Sequence, residues 1–334
     1  MLVAAFAGLV VTAVLTPQLA AWARRRNFLD LPNHRSSHSV ATPRIGGVAL
    51  VLGVLAGLLT WYLLEGAIDH RMLTVLTGAV AAALLGLADD FRNLPALVRL
   101  ALQATIAGTV VMAVPDAALP GNGSLLVALI IGFWLVTLIN AYNFMDGIDG
   151  IAGMQAIVAG CGWLVVGLIA GSPQVAALGL LLAAASGGFL FHNWHPARVF
   201  MGDAGSGFFG FVFAAVPLVA PEIGPSVWLC AVLLVWPFLA DTGFTLCRRV
   251  ARGENVLSAH RSHIYQRLVL TGRSHRDVAL AYGGLALLGA AAAVSVVAGH
   301  GLGLTLVSLA IVAAGASLWR WVTSRESART RSVV

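Results

Sequence analysis

The chain has 334 residues, of which 59% are hydrophobic and only 10% charged, and its mean hydropathy is +0.89. That composition excludes an ordinary soluble domain, because apolar runs recur end to end at about the 20 residues that a bilayer span requires. The formal net charge is +6, and arginine carries all the positive charge, since the sequence has no lysine. No basic stripe interleaved with aromatics accompanies it, so nucleic acid is excluded as a partner.

In chain order the pattern predicts helices near 2–22, 45–64, 72–88, 98–115, 124–141, 153–171, 174–191, 205–220, 226–247, 277–297 and 301–321. The expected fold is an all-α polytopic integral membrane protein of about eleven transmembrane helices. Residues 1–321 read as one transmembrane catalytic domain and 322–334 as a basic tail. Arg24–Arg26 follow the first apolar run rather than precede it, so that run reads as a retained span. With the loops numbered alternately, 19 of the 20 arginines fall on one side and only Arg71 on the other. This asymmetry predicts an outside N-terminus and a cytoplasmic C-terminus. Cys161, Cys230 and Cys247 lie in apolar segments at spacings that suit neither disulfides nor zinc, and read as small core residues.

The polar chemistry gathers at the inner ends of the spans. Asp89 and Asp90 close the third. Neighbouring side chains on a helix diverge by about 100°, so the two acids can serve different partners. The bland reading is a solvated helix end paired with Arg92, but acids are unfavourable at a helix C-terminus. Asn140, Asn143, Asp146 and Asp149 recur every three residues, which on a helix is one drifting polar stripe; the bland reading is a turn. Asp203 sits in Phe-Met-Gly-Asp-Ala-Gly-Ser at the start of the eighth span. It can ligate a metal or act as an N-cap, beside backbone N–H groups able to receive phosphate. Gly205, Gly207 and Gly210 mimic a dinucleotide fingerprint, but no strand precedes them.

His260-Arg261-Ser262-His263 lies in the long fifth inner loop. No further ligand completes a zinc set, whereas cationic donors suit a diphosphate. His192 and His195 read as structural or interfacial. Asp241 is expected to pair with Arg248 or Arg249, or to cap the site.

These motifs, in this order, resemble the polyprenyl-phosphate N-acetylhexosamine-1-phosphate transferases of glycosyl transferase family 4. The resemblance runs from residue 32 to residue 268. It implies that Asp203 ligates magnesium and that Asp89 and Asp90 organise metal and lipid phosphate. It places Asn143 and Asp149 at nucleotide positions, Asp146 as a further active-site acid and Phe200 against uracil. His260, Arg261 and His263 fall near the diphosphate and sugar. Arg35, Ser37, His38 and Arg44 match the first-loop signature. The sequence departs from the peptidoglycan branch in reading His-Arg-Ser-His instead of a triple histidine, and it lacks the third acid of a DDxxD motif. The histidine motif resembles that of the branch that starts O-antigen or other surface glycans.

The resemblance implies transfer of HexNAc-1-phosphate, 6-deoxy forms included, from a UDP-sugar to undecaprenyl phosphate with release of UMP. It implies Mg²⁺, with Mn²⁺ as a substitute, in a multi-pass protein of the bacterial inner membrane. The implied partners are undecaprenyl phosphate, a UDP-N-acetylhexosamine, the lipid bilayer and a second copy of the chain in a homodimer. Two competing classes are an intramembrane Mg²⁺-dependent prenyltransferase and a nucleotide-sugar or cation transporter. The transporter predicts polar residues at mid-span.

Overall fold

The computed structural model describes residues 1–32, 40–65, 68–114, 124–255, 258 and 260–301, with isolated positions from 305 to 324. Helices α1 (Leu2–Arg25), α2 (Gly46–Glu65), α3 (His70–Arg92), α4 (Ala96–Ala113) and α5 (Leu125–Met145) come first. Helices α6 (Ile151–Ala170), α7 (Pro173–Asn193) and α8 (Gly202–Val219) follow. The last are α9 (Ser226–Leu234), α10 (Trp236–Ala251), α11 (Ile264–Leu270) and α12 (His275–Val297). Among the described residues, nine of these are long and apolar enough to cross a membrane, or ten if α9 and α10 form one broken span. The protein is therefore a polytopic α-helical membrane protein, as the hydropathy pattern predicts. The expected span 301–321 lies largely outside the described residues.

The expected continuous helix 226–247 is not continuous. α9 and α10 meet at an angle of 73°. Pro237, at the start of α10, has no N–H for the carbonyl four residues back, and its ring crowds that carbonyl. Gln155 Nε2 donates to the Leu234 carbonyl at 2.7 Å, and Trp236 Nε1 to Leu285 O at 2.9 Å. Such internal partners are what a broken helix needs inside a bilayer.

Nearly every residue of α8 is buried, including Phe208, Phe209, Phe211 and Phe213. It is the axis of the bundle, with α2, α3 and α5 packed around it. Between helices in lipid there is little hydrophobic driving force, so close van der Waals packing does the work. Gly86 of α3 shows how close: a Cβ there would stand 2.0 Å from Asp203 O. A Cβ on Gly47 of α2 would stand 2.2 Å from Gly205 N. The outward faces carry exposed Phe6, Leu63, Phe133 and Phe191, as a lipid-facing surface requires. Cys230 is buried with its Sγ 3.5 Å from Ala293 O, but Cys161 and Cys247 are exposed, so only one thiol fits the core expectation.

At one end of the bundle, β1 (Leu29–Asp30) pairs antiparallel with β2 (Thr42–Pro43). The chain then fastens onto the segment before α8: Phe200 N donates to Pro43 O at 2.8 Å and Gly46 N to Phe200 O at 2.9 Å. This clamp brings Arg44 to Asp203. The ends of α3, α5 and α7 and the starts of α2, α4, α6 and α8 all share this end.

Candidate active site

Three carboxylates from two helices meet here, each held differently. Asp90, whose side chain is 1% exposed, accepts from the Asp203 and Ala204 amides at 3.1 and 3.2 Å. It thus satisfies two of the donors that the first turn of α8 leaves free. Arg44 Nε lies 2.9 Å from the same carboxylate and its Nη2 reaches Asp203. Burial works against the charge on Arg44, yet the carboxylates of Asp203, Asp90 and Asp30 outweigh it and hold the guanidinium more firmly protonated than usual.

Asp89 accepts from Leu94 N at 2.7 Å, which closes the α3–α4 turn, and pairs with Arg99 of α4. Arg99 also stands 3.7 Å from Asp203. Asn143 donates to Asp203 Oδ1 at 2.9 Å and lies 3.1 Å from Ser206 Oγ. Asp89, Arg99, Gln103, Asn140, Asn143 and Asp203 line a small open cleft between α3, α4, α5 and α8. Three carboxyl groups face two guanidinium groups in a largely buried site.

The structure decides several of the alternatives that the sequence left open. Asp203 is not the N-cap: Met201 holds that position and Asp90 supplies the capping carboxylate. The pair Asp89 and Asp90 meets Arg99 and Arg44, not Arg92. The four-residue polar stripe is not one helical face, because α5 ends at Met145. Asn140 turns to Gln103 Oε1 at 2.6 Å and braces α4 against α5. Asp146 is the C-cap of α5. Desolvation raises its carboxyl well above the usual range, the charges of Asp203 and Asp90 add to this, and Arg44 opposes it.

Asp149 lies apart from the triad. Its carboxylate is 2.6 Å from His195 Nδ1, 3.3 Å from His275 Nδ1 and 3.2 Å from the Ala197 amide. Burial would raise its pKa, but the bonds from His275, His195 and Ala197 outweigh that and hold it below the usual value. His195 is therefore part of a built polar cluster, beyond the structural or interfacial reading.

Asp241 pairs with neither Arg248 nor Arg249. It accepts from Ile264 N at 2.8 Å, Tyr265 N at 3.0 Å and Tyr282 Oη at 2.5 Å, and lies 3.3 Å from His263 Nδ1. It is the anchor of α11 and of the loop bearing His260 and His263. Tyr265 Oη donates to Phe144 O at 2.9 Å, which ties this loop to the end of α5 beside Asn143. His263 is buried at the start of α11, with its ring 6.0 Å from that of Phe144. His260 is not the expected cation: desolvation, then the positive charges of His263 and Arg249, lower its pKa to about 4. Arg261 lies half-buried between them, and Phe200 bridges to Arg44. Arg35, Ser37 and His38 lie outside the described residues.

Arg99 and the partners of Asp149 escape a motif-based reading. The signal for Arg99 was available: an arginine in the first turn of a membrane helix demands a nearby acid.

Residues 72–220 match glycosyl transferase family 4. The probable undecaprenyl-phosphate N-acetylglucosaminyl 1-phosphate transferase of Bacillus subtilis is 30% identical over 286 residues, covering 82% of this chain and 78% of the relative. The chain belongs to glycosyl transferase family 4. The decaprenyl-phosphate N-acetylglucosaminephosphotransferase of Mycolicibacterium smegmatis is 31% identical over 313 residues, covering 81% of this chain and 77% of that family member. The phospho-N-acetylmuramoyl-pentapeptide-transferase of Synechococcus is 33% identical over 295 residues, with 77% and 76% covered. The segment matched to glycosyl transferase family 4 carries Asp89, Asp90, Asn143, Asp146, Asp149, Phe200 and Asp203. Arg44 and the loop of His260 and His263 join the site from outside that segment.

Proposed function

We propose that this chain transfers an N-acetylhexosamine-1-phosphate group from a UDP-sugar to a polyprenyl phosphate, releasing UMP and leaving a diphosphate-linked lipid. The observation that carries the reading is the convergence of Asp89, Asp90 and Asp203 with Arg44 and Arg99 at one end of a membrane bundle. The names of the relatives support the same reaction class. The reaction forms a bond from a lipid-phosphate oxygen to the sugar-bearing phosphorus and breaks the bond from that phosphorus to UMP. A lipid phosphate, with a second pKa near 6, is already largely ionised at neutral pH. Positioning two anions against each other is then the main demand.

Each residue has a task in that scheme. Arg99 and Asp89 line the cleft, so they meet the reacting phosphates. Asp90 is engaged by the start of α8 and by Arg44, so it holds Asp203 in place. Arg44, Arg261 and the imidazoles of His260 and His263 supply hydrogen bonds to the diphosphate. Asn143, Asp149 and Phe200 serve the nucleotide, and Asp146 is a further acid beside the triad. Asp203 with Asn143, Ser206 and Asp89 offers hard oxygen donors of the kind Mg²⁺ takes. Bound there, Mg²⁺ or Mn²⁺ supplies charge neutralisation for the diphosphate and the leaving UMP.

The arginine asymmetry supports a cytoplasmic placement of this end, and bacterial relatives support an inner-membrane location. Undecaprenyl phosphate is the proposed acceptor and UDP-GlcNAc, UDP-GalNAc or a 6-deoxy relative the donor, starting O-antigen or another envelope glycan. The test is UMP release by detergent-purified protein given undecaprenyl phosphate, Mg²⁺ and each donor in turn. Lipid-dependent release abolished by EDTA is expected. Folded protein that releases no UMP with any donor overturns the proposal.

A further inference from the structure

Outside the triad lies a second convergence of ligand-type atoms. Asp149 comes from the loop after α5, His195 from the loop after α7 and His275 from the first turn of α12. Their candidate ligand atoms all lie within 4.8 Å of one another, and Asp149 and His275 are buried while His195 reaches the surface. Two groups of Asp149 face one ring nitrogen of His275. His275 Nδ1 lies 3.4 Å from the Asp149 amide nitrogen and 3.3 Å from Asp149 Oδ2. One ring nitrogen cannot accept from the amide and donate to the carboxylate at once. With Nδ1 unprotonated, its lone pair and the Asp149 carboxylate face each other across 3.3 Å, a gap that a cation bound to both would fill.

We propose that Asp149, His195 and His275 form a site for a borderline divalent transition ion of the Zn²⁺ or Co²⁺ class, separate from the carboxylate triad. Two imidazoles and one carboxylate, with a fourth position left to solvent, are a ligand set that such ions take and that Mg²⁺ disfavours. Ligands bound tetrahedrally at about 2.0–2.1 Å stand about 3.3 Å apart. The His275–Asp149 spacing of 3.3 Å already fits. His195 must withdraw by about 0.7 Å from its 2.6 Å hydrogen bond, which a loop residue with a 39% exposed side chain can do. The Ala197 amide fixes the carboxylate from outside the ligand set. The regulatory consequence rests on the reading of Asp149 as a nucleotide residue: an ion here competes with the UDP-sugar for that carboxylate.

The test uses the full chain in detergent, stripped with a chelator and held in excess Mg²⁺, titrated with Co²⁺. One equivalent should bind with the visible absorption of low-coordinate Co²⁺ and be displaced by Zn²⁺. His195→Ala and His275→Gln should each weaken it about tenfold or more, with unchanged melting temperature in the exposed His195 variant as the folding control. Asp203→Asn should leave it intact. Absence of the absorption in the wild type, its survival in both histidine variants, or its loss in Asp203→Asn overturns the site. Zn²⁺ should raise the apparent KM for the donor in the wild type more than in His195→Ala. Purely non-competitive inhibition overturns the regulatory clause while the Co²⁺ result stands on its own.

Discussion

Asp89 and Asp90 are adjacent in sequence yet have opposite jobs in the structure, and replacing each by asparagine separates them. Asp90 has three donors on two oxygens: the Asp203 amide and Arg44 Nε on Oδ1, and the Ala204 amide on Oδ2. Asparagine keeps one acceptor oxygen, so whichever way the amide turns, its NH₂ faces a donor. One buried N–H of α8 then goes unsatisfied, at about 1–3 kcal/mol, and the helix loses a negative charge at its start, at about 0.3–1 kcal/mol. Together these predict a loss of about 1–4 kcal/mol for Asp90→Asn. In Asp89→Asn the remaining oxygen still takes the Leu94 amide, and Arg99, with a 32% exposed side chain, can turn to water. Its stability cost should be about 1 kcal/mol, while turnover falls steeply because this carboxylate faces the cleft. The assay is thermal unfolding in one detergent beside UMP release. An Asp90→Asn protein as stable as wild type, or an Asp89→Asn protein that unfolds first, refutes the division of labour.

Asp203→Asn should cost about 10²-fold or more in turnover, measured as UMP release; near-normal rates would exclude Asp203 from the reacting centre. Arg99→Ala should lower turnover strongly and Arg99→Lys should restore part of it, since a lysine keeps the charge but not the fork; equal rates for the two would show that charge alone does not matter there. Tyr282→Phe removes a buried 2.5 Å bond to Asp241 and should cost about 1.5–3 kcal/mol, the scale for a hydrogen bond to a charged group, read by thermal unfolding. His260 provides a pH test. Its pKa falls from 6.5 unfolded to about 4 folded, so the unfolded chain takes up the proton first as pH drops. The stabilising contribution is therefore present above pH 6.5 and is lost between there and about pH 4. His260→Ala should flatten the fall of melting temperature across that window, and parallel curves for the two proteins would refute the neutral imidazole.

The positions of the spans were legible because hydropathy has to meet a bilayer thickness wherever a helix crosses. Ten predicted helices correspond to observed ones within a few residues, apart from the break at Val235. Pro237 carried the signal for that break, but a proline alone does not reveal whether a span continues; Gln155, the partner of the Leu234 carbonyl, is 79 residues away in a different helix. The triad was legible as chemistry, since acids beside apolar spans need compensation. Its wiring was not, because Arg44, Arg99 and the carboxylates they meet are up to 159 residues apart. Asp241 stayed open between an arginine pair and a capping role for the same reason: its charge is met by two backbone amides, a tyrosine and a histidine rather than by the nearest arginines.

The arrangement of Asp90 also explains why an acid can sit where a helix dipole disfavours it. Asp89 and Asp90 end α3, where the exposed carbonyls repel negative charge. Asp90 escapes that penalty by lying against the start of α8, where the dipole has the opposite sign. The approach depends on Gly86, where any Cβ would collide with the Asp203 carbonyl. Gly86→Ala should therefore act on the site without touching a charge: it pushes α3 from α8, lengthens the Asp90 bonds and shifts Asp203. A loss of turnover in that variant larger than its loss of stability would show that the helix spacing itself tunes the carboxylates. Proportional losses would assign Gly86 to packing alone.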